Sequence, residues 1–233
     1  MKKTQQYDKI FPYQKVNSHL LNKKINLEKK INELNNSIIN QKNQFKVSNS
    51  EKFTIEEMGT ISLVLSFYKF LIKLKKIKNI LEVGTFIGNS TLELASALPK
   101  GGKLMSIEKF DEFYEIAKKN ISQNKINNVQ LVKGDALKIL SDLNIKEKFD
   151  LVFLDGNKEK YKEYLVRLKN LVKKDGLVIV DDIFFHGDLF NKKSKTKKGK
   201  GVKNCMQYLL KNKNLWEITL MPLSNGIVIL KKR

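Results

Sequence analysis

Three aspartates carry the sharpest chemistry in this sequence. Asp155 follows the apolar run 149–154, and Asp181 and Asp182 follow a second run, 177–180. If both runs are parallel strands, the three carboxylates converge at one edge of a sheet. Left alone they would repel one another and raise each other's pKa. A divalent cation removes that repulsion, and an all-oxygen donor set favours a hard ion such as Mg²⁺. For Asp182 the plainer reading is a helix or turn cap. His186 is close in sequence but stands alone, and we assign it no ligand role.

A second group lies upstream, in the segment Glu82, Val83, Gly84, Thr85, Phe86, Ile87, Gly88, Asn89, Ser90. Gly84 permits a sharp turn and close approach of a ligand to the backbone. The helix that follows offers free N–H groups and a positive end. A dinucleotide fold would carry G-x-G-x-x-G there; the spacing here is G-x-x-x-G. Glu82 would sit badly beside a pyrophosphate but suits the ammonium end of an amino-acid ligand, and Ser90 could bond its carboxylate. An ordinary tight turn is the bland alternative. Glu108 ends the next strand, where an acid can accept both hydroxyls of a ribose. Gly134, Asp135 and Ala136 follow the third strand and could wall an adenine ring. Asp135 either receives the exocyclic amine or simply caps the next helix.

These residues need a scaffold that places strand ends side by side. From residue 78 onward strands and helices alternate. Strands are expected at 79–84, 103–108, 129–133, 149–154 and 177–181, and helices at 89–98, 111–124, 136–143, 158–172 and 201–210. Two further strands, 216–220 and 226–230, are joined by a turn. Such βα units give an α/β, doubly wound, mostly parallel sheet with helices on both faces. Its ligands bind beyond the carboxyl ends of the strands. Ahead of it, 55–74 reads as one helix. Residues 1–50 form a separate helical extension, with Leu20, Leu27 and Leu34 seven apart and Ile31 and Ile38 beside them. Lys24 breaks the second series, so that helix lies on the main domain, or serves as a dimer contact or a cap. Residues 51–233 are the catalytic domain.

Composition bounds the rest. The 233 residues suffice for one domain with a full core. No apolar run approaches the roughly 20 residues of a membrane span, the first ten residues lack a signal-peptide core, and Cys205 has no partner for a disulfide. A cytoplasmic protein without a membrane partner is expected. The net charge of +21 suggests either an anionic partner or codon bias, and all its basic residues but Arg167 and Arg233 are lysines. Arginine is the better residue for bidentate phosphate contacts, which favours codon bias. The run 192–200 holds six lysines in nine residues. It either grips phosphates near the acid cluster or is a solvated loop.

The ordered set, from Glu82 through Ser90, Glu108, Gly134, Asp135, Ala136, Leu154, Asp155, Lys158, Asp181 and Asp182, resembles the metal-dependent O-methyltransferases of the catechol and caffeoyl-CoA type. The resemblance covers about residues 78 to 231 and ends on the turn Leu223, Ser224, Asn225, Gly226. It implies a seven-stranded sheet with an antiparallel last strand, S-adenosylmethionine as cofactor and one divalent cation, Mg²⁺ by preference. Carried over residue by residue, Glu82, Gly84, Ser90, Glu108 and Ala136 would contact the cofactor, with Thr85, Phe86, Asp135 and Asp155 completing its surroundings. Asp155, Asp181 and Asp182 would hold the metal. Lys158, its pKa lowered beside the ion, would take the proton of the reacting hydroxyl, with Asp155 as the second catalytic residue. A homodimer is expected.

The sequence departs from the family in three places. Asp182 stands where the family usually has Asn, which should strengthen metal binding while weakening Lewis acidity. The family's Gly-Gln pair has no counterpart in 61–67, and Ser224 replaces a frequent Asp. The expected acceptor is a small molecule with adjacent oxygens, a catechol or hydroxycinnamoyl thioester; the alternative is a hydroxylated uridine in tRNA. A nicotinamide dehydrogenase is disfavoured by the glycine spacing and the three acids. A non-catalytic module on the same fold would have no need of the acids and Lys158.

Overall fold

The computed structural model describes residues 45–142 and 148–233, together with Lys30, Glu33 and Leu34. Apart from Leu34, the heptad stripe of the N-terminal extension lies outside these residues. Seven strands form one sheet: β1 (Asn79–Val83), β2 (Lys103–Glu108), β3 (Val129–Lys133), β4 (Phe149–Leu154), β5 (Val172–Val180), β6 (Trp216–Met221) and β7 (Ile227–Lys232). Their order is β3-β2-β1-β4-β5-β7-β6. The first five are parallel and β7 runs antiparallel between β5 and β6, so the doubly wound sheet with its antiparallel last strand is as expected. Chain order reverses between β1 and β4, and that switch point is where such sheets bind ligands.

Alternation along the strands sorts side chains between two cores. Leu151, Phe153, Leu177 and Ile179 face one core, shared with Val64, Leu65, Tyr68 and Ile72 of helix α2 (Ser62–Leu74) and Leu94 and Ala95 of α3 (Asn89–Ala97). Val152, Leu154, Val178 and Val180 face the other, against α5 (Ala136–Asp142), α6 (Tyr161–Leu168) and α7 (Lys197–Lys211). A short α1 (Ile55–Met58) precedes α2, and α4 (Asp111–Gln123) connects β2 to β3. Among the described residues no helix is long and apolar enough to cross a membrane.

Four expected elements differ. The single helix at 55–74 is broken into α1 and α2 at Gly59, whose backbone is extended (φ −80°, ψ 150°). The helix at 158–172 ends at Leu168 after a 3-10 turn (Lys158–Lys160), and β5 begins at Val172 rather than 177. Val172 pairs with Phe149, and a shift in register follows before Leu177 pairs with Leu151. Asp175, at φ 60°, lies inside that irregularity. The helix placed at 201–210 starts at Lys197, capped by the Thr196 hydroxyl accepting from the Gly199 N–H at 2.8 Å. Half of the lysine run is therefore the first turn of a helix, not a loop.

Candidate active site

Strand alternation alone brings most of the expected residues together. Glu82 of β1 lies two residues beyond Ile80, and Ser106 and Glu108 of β2 lie two and four beyond Leu104; Ile80 and Leu104 face the α2–α3 core. Asp155 and Asp181 continue the same series from Phe153 and Ile179. All five belong to the α2–α3 face, at the carboxyl ends of the strands, around the switch point.

The turn after β1 is held very closely. Gly84 sits at φ 97°, and a Cβ there would come within 2.4 Å of the Asp155 carbonyl oxygen, so only glycine fits. Gly88, at φ 90°, precedes the first turn of α3. Phe86 takes φ 52°, unusual for a bulky residue. Its ring packs edge-on to Phe113 at 4.9 Å. Asn120, buried on α4, donates to the Ile87 carbonyl at 2.8 Å and accepts from the Ser48 N–H at 2.9 Å, fastening the turn to α4.

Glu82 is fully buried inside a cage of hydroxyls. Ser90 donates to it at 2.6 Å, and Thr91 and Ser106 each donate at 2.5 Å. Thr85 shares a 2.5 Å hydrogen bond with Ser106. Burial pushes the Glu82 carboxyl up to about 7 despite these donors. Glu82 and Ser90, assigned separately to a ligand's ammonium and carboxylate, thus bond each other here. Thr91 and Ser106 were missed by sequence reasoning; the signal was available, since both are polar residues at inward positions.

Glu108 is also buried, and its carboxylate accepts three backbone N–H groups: Phe86 at 2.8 Å, Lys109 at 2.8 Å and Phe110 at 2.9 Å. Burial raises its pKa and these bonds oppose the rise. A carboxylate has about four lone-pair directions, so roughly one remains for a ribose hydroxyl. Asp135 accepts from the Leu137 N–H at 2.9 Å and pairs with Lys109 at 3.0 Å. It is therefore the cap of α5, and the Lys109 ammonium holds its pKa down. Ala136 is buried behind it.

The acid cluster is crossed by Lys158. Its ammonium lies 2.6 Å from Asp155 and 3.0 Å from Asp182. The Asp182 carboxylate pairs with this lysine rather than capping a helix, and its backbone stands at φ 53°. Asp181 takes the Asp182 N–H at 2.8 Å, and its carbonyl accepts the Tyr161 hydroxyl at 3.0 Å. Burial, then Asp155 and Asp182, push the Asp181 carboxyl well up. Burial and Asp182 also raise Asp155, against the pull of Lys158. The expectation of a lowered Lys158 pKa concerns a site with a cation beside the lysine; with the carboxylates alone the balance runs the other way. Burial alone would lower it, but Asp155, Tyr161 and Asp182 outweigh burial and hold the ammonium well above its ordinary value. Among the described residues no group of three His, Cys, Asp or Glu side chains is arranged to hold a metal as it stands. The donor set nonetheless fits a hard dication in its chemistry: two of the three carboxylates pair with one lysine, and burial together with the neighbouring carboxylates pushes Asp155 and Asp181 towards protonation.

The loop after β5 is braced from two sides. The Ile183 and Phe184 N–H groups donate to the Gly226 and Asn225 carbonyls, each at 2.9 Å, and the His186 N–H donates to the Asn225 side chain at 2.8 Å. His186 itself is exposed. Asp188 accepts from the Lys195 and Thr196 N–H groups, the Thr196 hydroxyl and Asn191, at 2.8–3.0 Å. These bonds hold its pKa down at about 2 despite its desolvation. A cavity of about 190 Å³ lies in this loop, lined in part by Phe185, His186, Asn191 and Lys195.

Comparison with known proteins agrees with this geometry. An O-methyltransferase family model matches residues 23–233. A catechol O-methyltransferase of Niastella koreensis is 35% identical over 55% of this chain and 59% of its own length. Caffeoyl-CoA O-methyltransferase 1 of Arabidopsis thaliana is 30% identical over 71% of this chain and 68% of its own. The chain thus spans about three-fifths of the first relative and two-thirds of the second. Among solved structures, the O-methyltransferase TomG of Streptomyces achromogenes, in complex with S-adenosylmethionine, superposes with a TM-score of 0.71 at 26% identity, covering 76% of this chain and 82% of that one. The chain belongs to the O-methyltransferase family.

Proposed function

We propose that this protein transfers a methyl group from S-adenosylmethionine to a hydroxyl of a small molecule with adjacent oxygens, a catechol or hydroxycinnamoyl-CoA-like acceptor, with a divalent cation held by Asp155, Asp181 and Asp182. The observation that carries the reading is the convergence of these three carboxylates beside the Gly84 turn, where the Asp155 carbonyl touches Gly84. The named activities of the relatives and the cofactor bound to TomG support it.

The sulfonium cofactor would supply an electrophilic methyl, and the dication, Mg²⁺ by donor chemistry, would favour the ionised form of a hydroxyl whose pKa otherwise lies near that of tyrosine, about 10. Within the chain, Glu108 offers its remaining lone-pair direction to a ribose hydroxyl. The first turn of α3 presents backbone N–H groups to a carboxylate. The Glu82 cage keeps that turn in place. Lys158, paired with Asp155 and Asp182, stands where it would take the proton of the acceptor hydroxyl once a dication on those carboxylates draws its pKa down. Holding oxygen, carbon and sulfur in line would supply much of the remaining rate.

The test is transfer of labelled methyl from S-adenosylmethionine, with and without chelator, to a catechol panel and to unmodified and hydroxylated tRNA. Catechol turnover lost on chelation, and lost in Asp155→Ala while S-adenosylmethionine still binds, is expected. Full activity in excess chelator removes the metal from the reading. Labelling confined to tRNA replaces the acceptor.

A further inference from the structure

Tyr68 stands in the middle of α2, on the face that packs against the sheet. It is fully buried, and its ring lies against Phe153 of β4, with centroids 5.2 Å apart. Val64, Leu65 and Ile72 share that helix face and fill it with hydrocarbon alone. Among the described residues the Tyr68 hydroxyl makes no hydrogen bond. A buried hydroxyl without a partner costs more than an ordinary hydrogen bond contributes, and phenylalanine would fill the same space without that cost. Tyr161, on the opposite face, spends its hydroxyl on the Asp181 carbonyl.

The surroundings show what the Tyr68 hydroxyl could serve. Phe153, beneath its ring, is two residues before Asp155, and Ile179, in the same core, is two before Asp181. Tyr68 is therefore on the sheet face of the acid cluster, whereas Glu108 lies on β2, two strands from β4. Burial and the Asp181, Asp155 and Asp182 carboxylates push the hydroxyl well above an ordinary phenol, so it remains a donor. A donor on this face, with carboxylates as its charged surroundings, suits an oxygen atom at the reacting end of the site.

We propose that Tyr68 is a further binding residue of the acid cluster, its hydroxyl donating to an oxygen atom seated against Asp155 and Asp181 when the site is loaded. That oxygen is either a water on the dication or the acceptor's own hydroxyl. The proposal rests on the metal-dependent reading above.

The variant Tyr68→Phe keeps the ring on Phe153 and removes only the hydroxyl. Calorimetric titrations would use Mn²⁺ alone, then catechol in the presence of Mn²⁺ and S-adenosylhomocysteine, with S-adenosylhomocysteine alone as the control. A loss of about threefold to tenfold in Mn²⁺ affinity, with the control unchanged, assigns the oxygen to the ion's water. Unchanged Mn²⁺ affinity with a similar loss for catechol assigns it to the acceptor. In either case the melting temperature should hold or rise, because an unpaired buried hydroxyl has been removed. Affinities within twofold of wild type in both titrations overturn the proposal, as does a lowered melting temperature without any change in binding. If wild type binds S-adenosylhomocysteine but not Mn²⁺, the metal-dependent reading fails, and the proposal with it.

Discussion

Glu82 should make the protein less stable as pH rises, and Glu82→Gln should remove its share of that dependence. Burial places its carboxyl at about 7 in the folded chain, against 4.5 for an unperturbed glutamate. The folded state therefore holds the proton over a range in which the unfolded state has released it. Stability is greatest below about pH 4.5 and falls as pH rises through about 7, where the folded state must also ionise. At about 1.4 kcal/mol per pH unit the full loss is about 3 kcal/mol, of which about 2.5 kcal/mol falls between roughly pH 5 and pH 8. Asp155, Asp181 and Glu108 are raised too and tilt the profile the same way. They are present in both proteins, so the difference between wild type and variant isolates Glu82. Near pH 5 the amide should cost up to about 1 kcal/mol, since its nitrogen cannot accept from the cage hydroxyls. Near pH 8 the variant should be the more stable protein. Urea unfolding at several pH values reads both. A difference that stays constant within about 0.5 kcal/mol across that range, well under the expected change, would show that the cage keeps Glu82 ionised and would refute the reasoning.

Other expectations are equally direct. Gly84→Ala sets a methyl 2.4 Å from the Asp155 carbonyl at φ 97°; it should cost about 3 kcal/mol or more in urea unfolding and weaken S-adenosylmethionine binding in a calorimeter. Asp188→Ala strips the acceptor from four hydrogen bonds and should cost about 2–4 kcal/mol. Trypsin should then cut within 192–200 faster than in wild type; an unchanged cleavage rate would mean that Asp188 does not hold this loop.

The sheet was legible because its strands are short apolar runs bounded by charge or glycine. β2, β3 and β4 fall on the expected residues for that reason. β5 was read five residues short, because Lys173, Lys174 and Asp175 have the texture of a loop, and only pairing of Val172 with Phe149 makes them strand. The lysine run misled in the same way: its helix start depends on Thr196 and on Gly199 packing against Asp188. The acids at strand ends were legible because position relative to a strand end decides where a side chain points. Tyr68 was not, since on a helix face a tyrosine reads as core, and its missing partner is visible only in three dimensions.

The aspartate at 182 bears on how the site would work. With asparagine there, Lys158 would have one anionic partner, Asp155, and burial would pull its pKa down with less opposition. The second carboxylate, 3.0 Å away, adds to the pull of Asp155 and Tyr161 on the Lys158 proton. A dication seated on the same carboxylates would compete with that pull and bring the Lys158 pKa down. The extra carboxylate would also leave a bound dication with less residual positive charge. The two consequences partly offset each other at the acceptor oxygen: what the ion loses in drawing off negative charge, a more basic Lys158 would regain as the acceptor of the proton. On this reading the departure at 182 moves part of the work of ionising the acceptor hydroxyl from the metal to Lys158, which takes its proton.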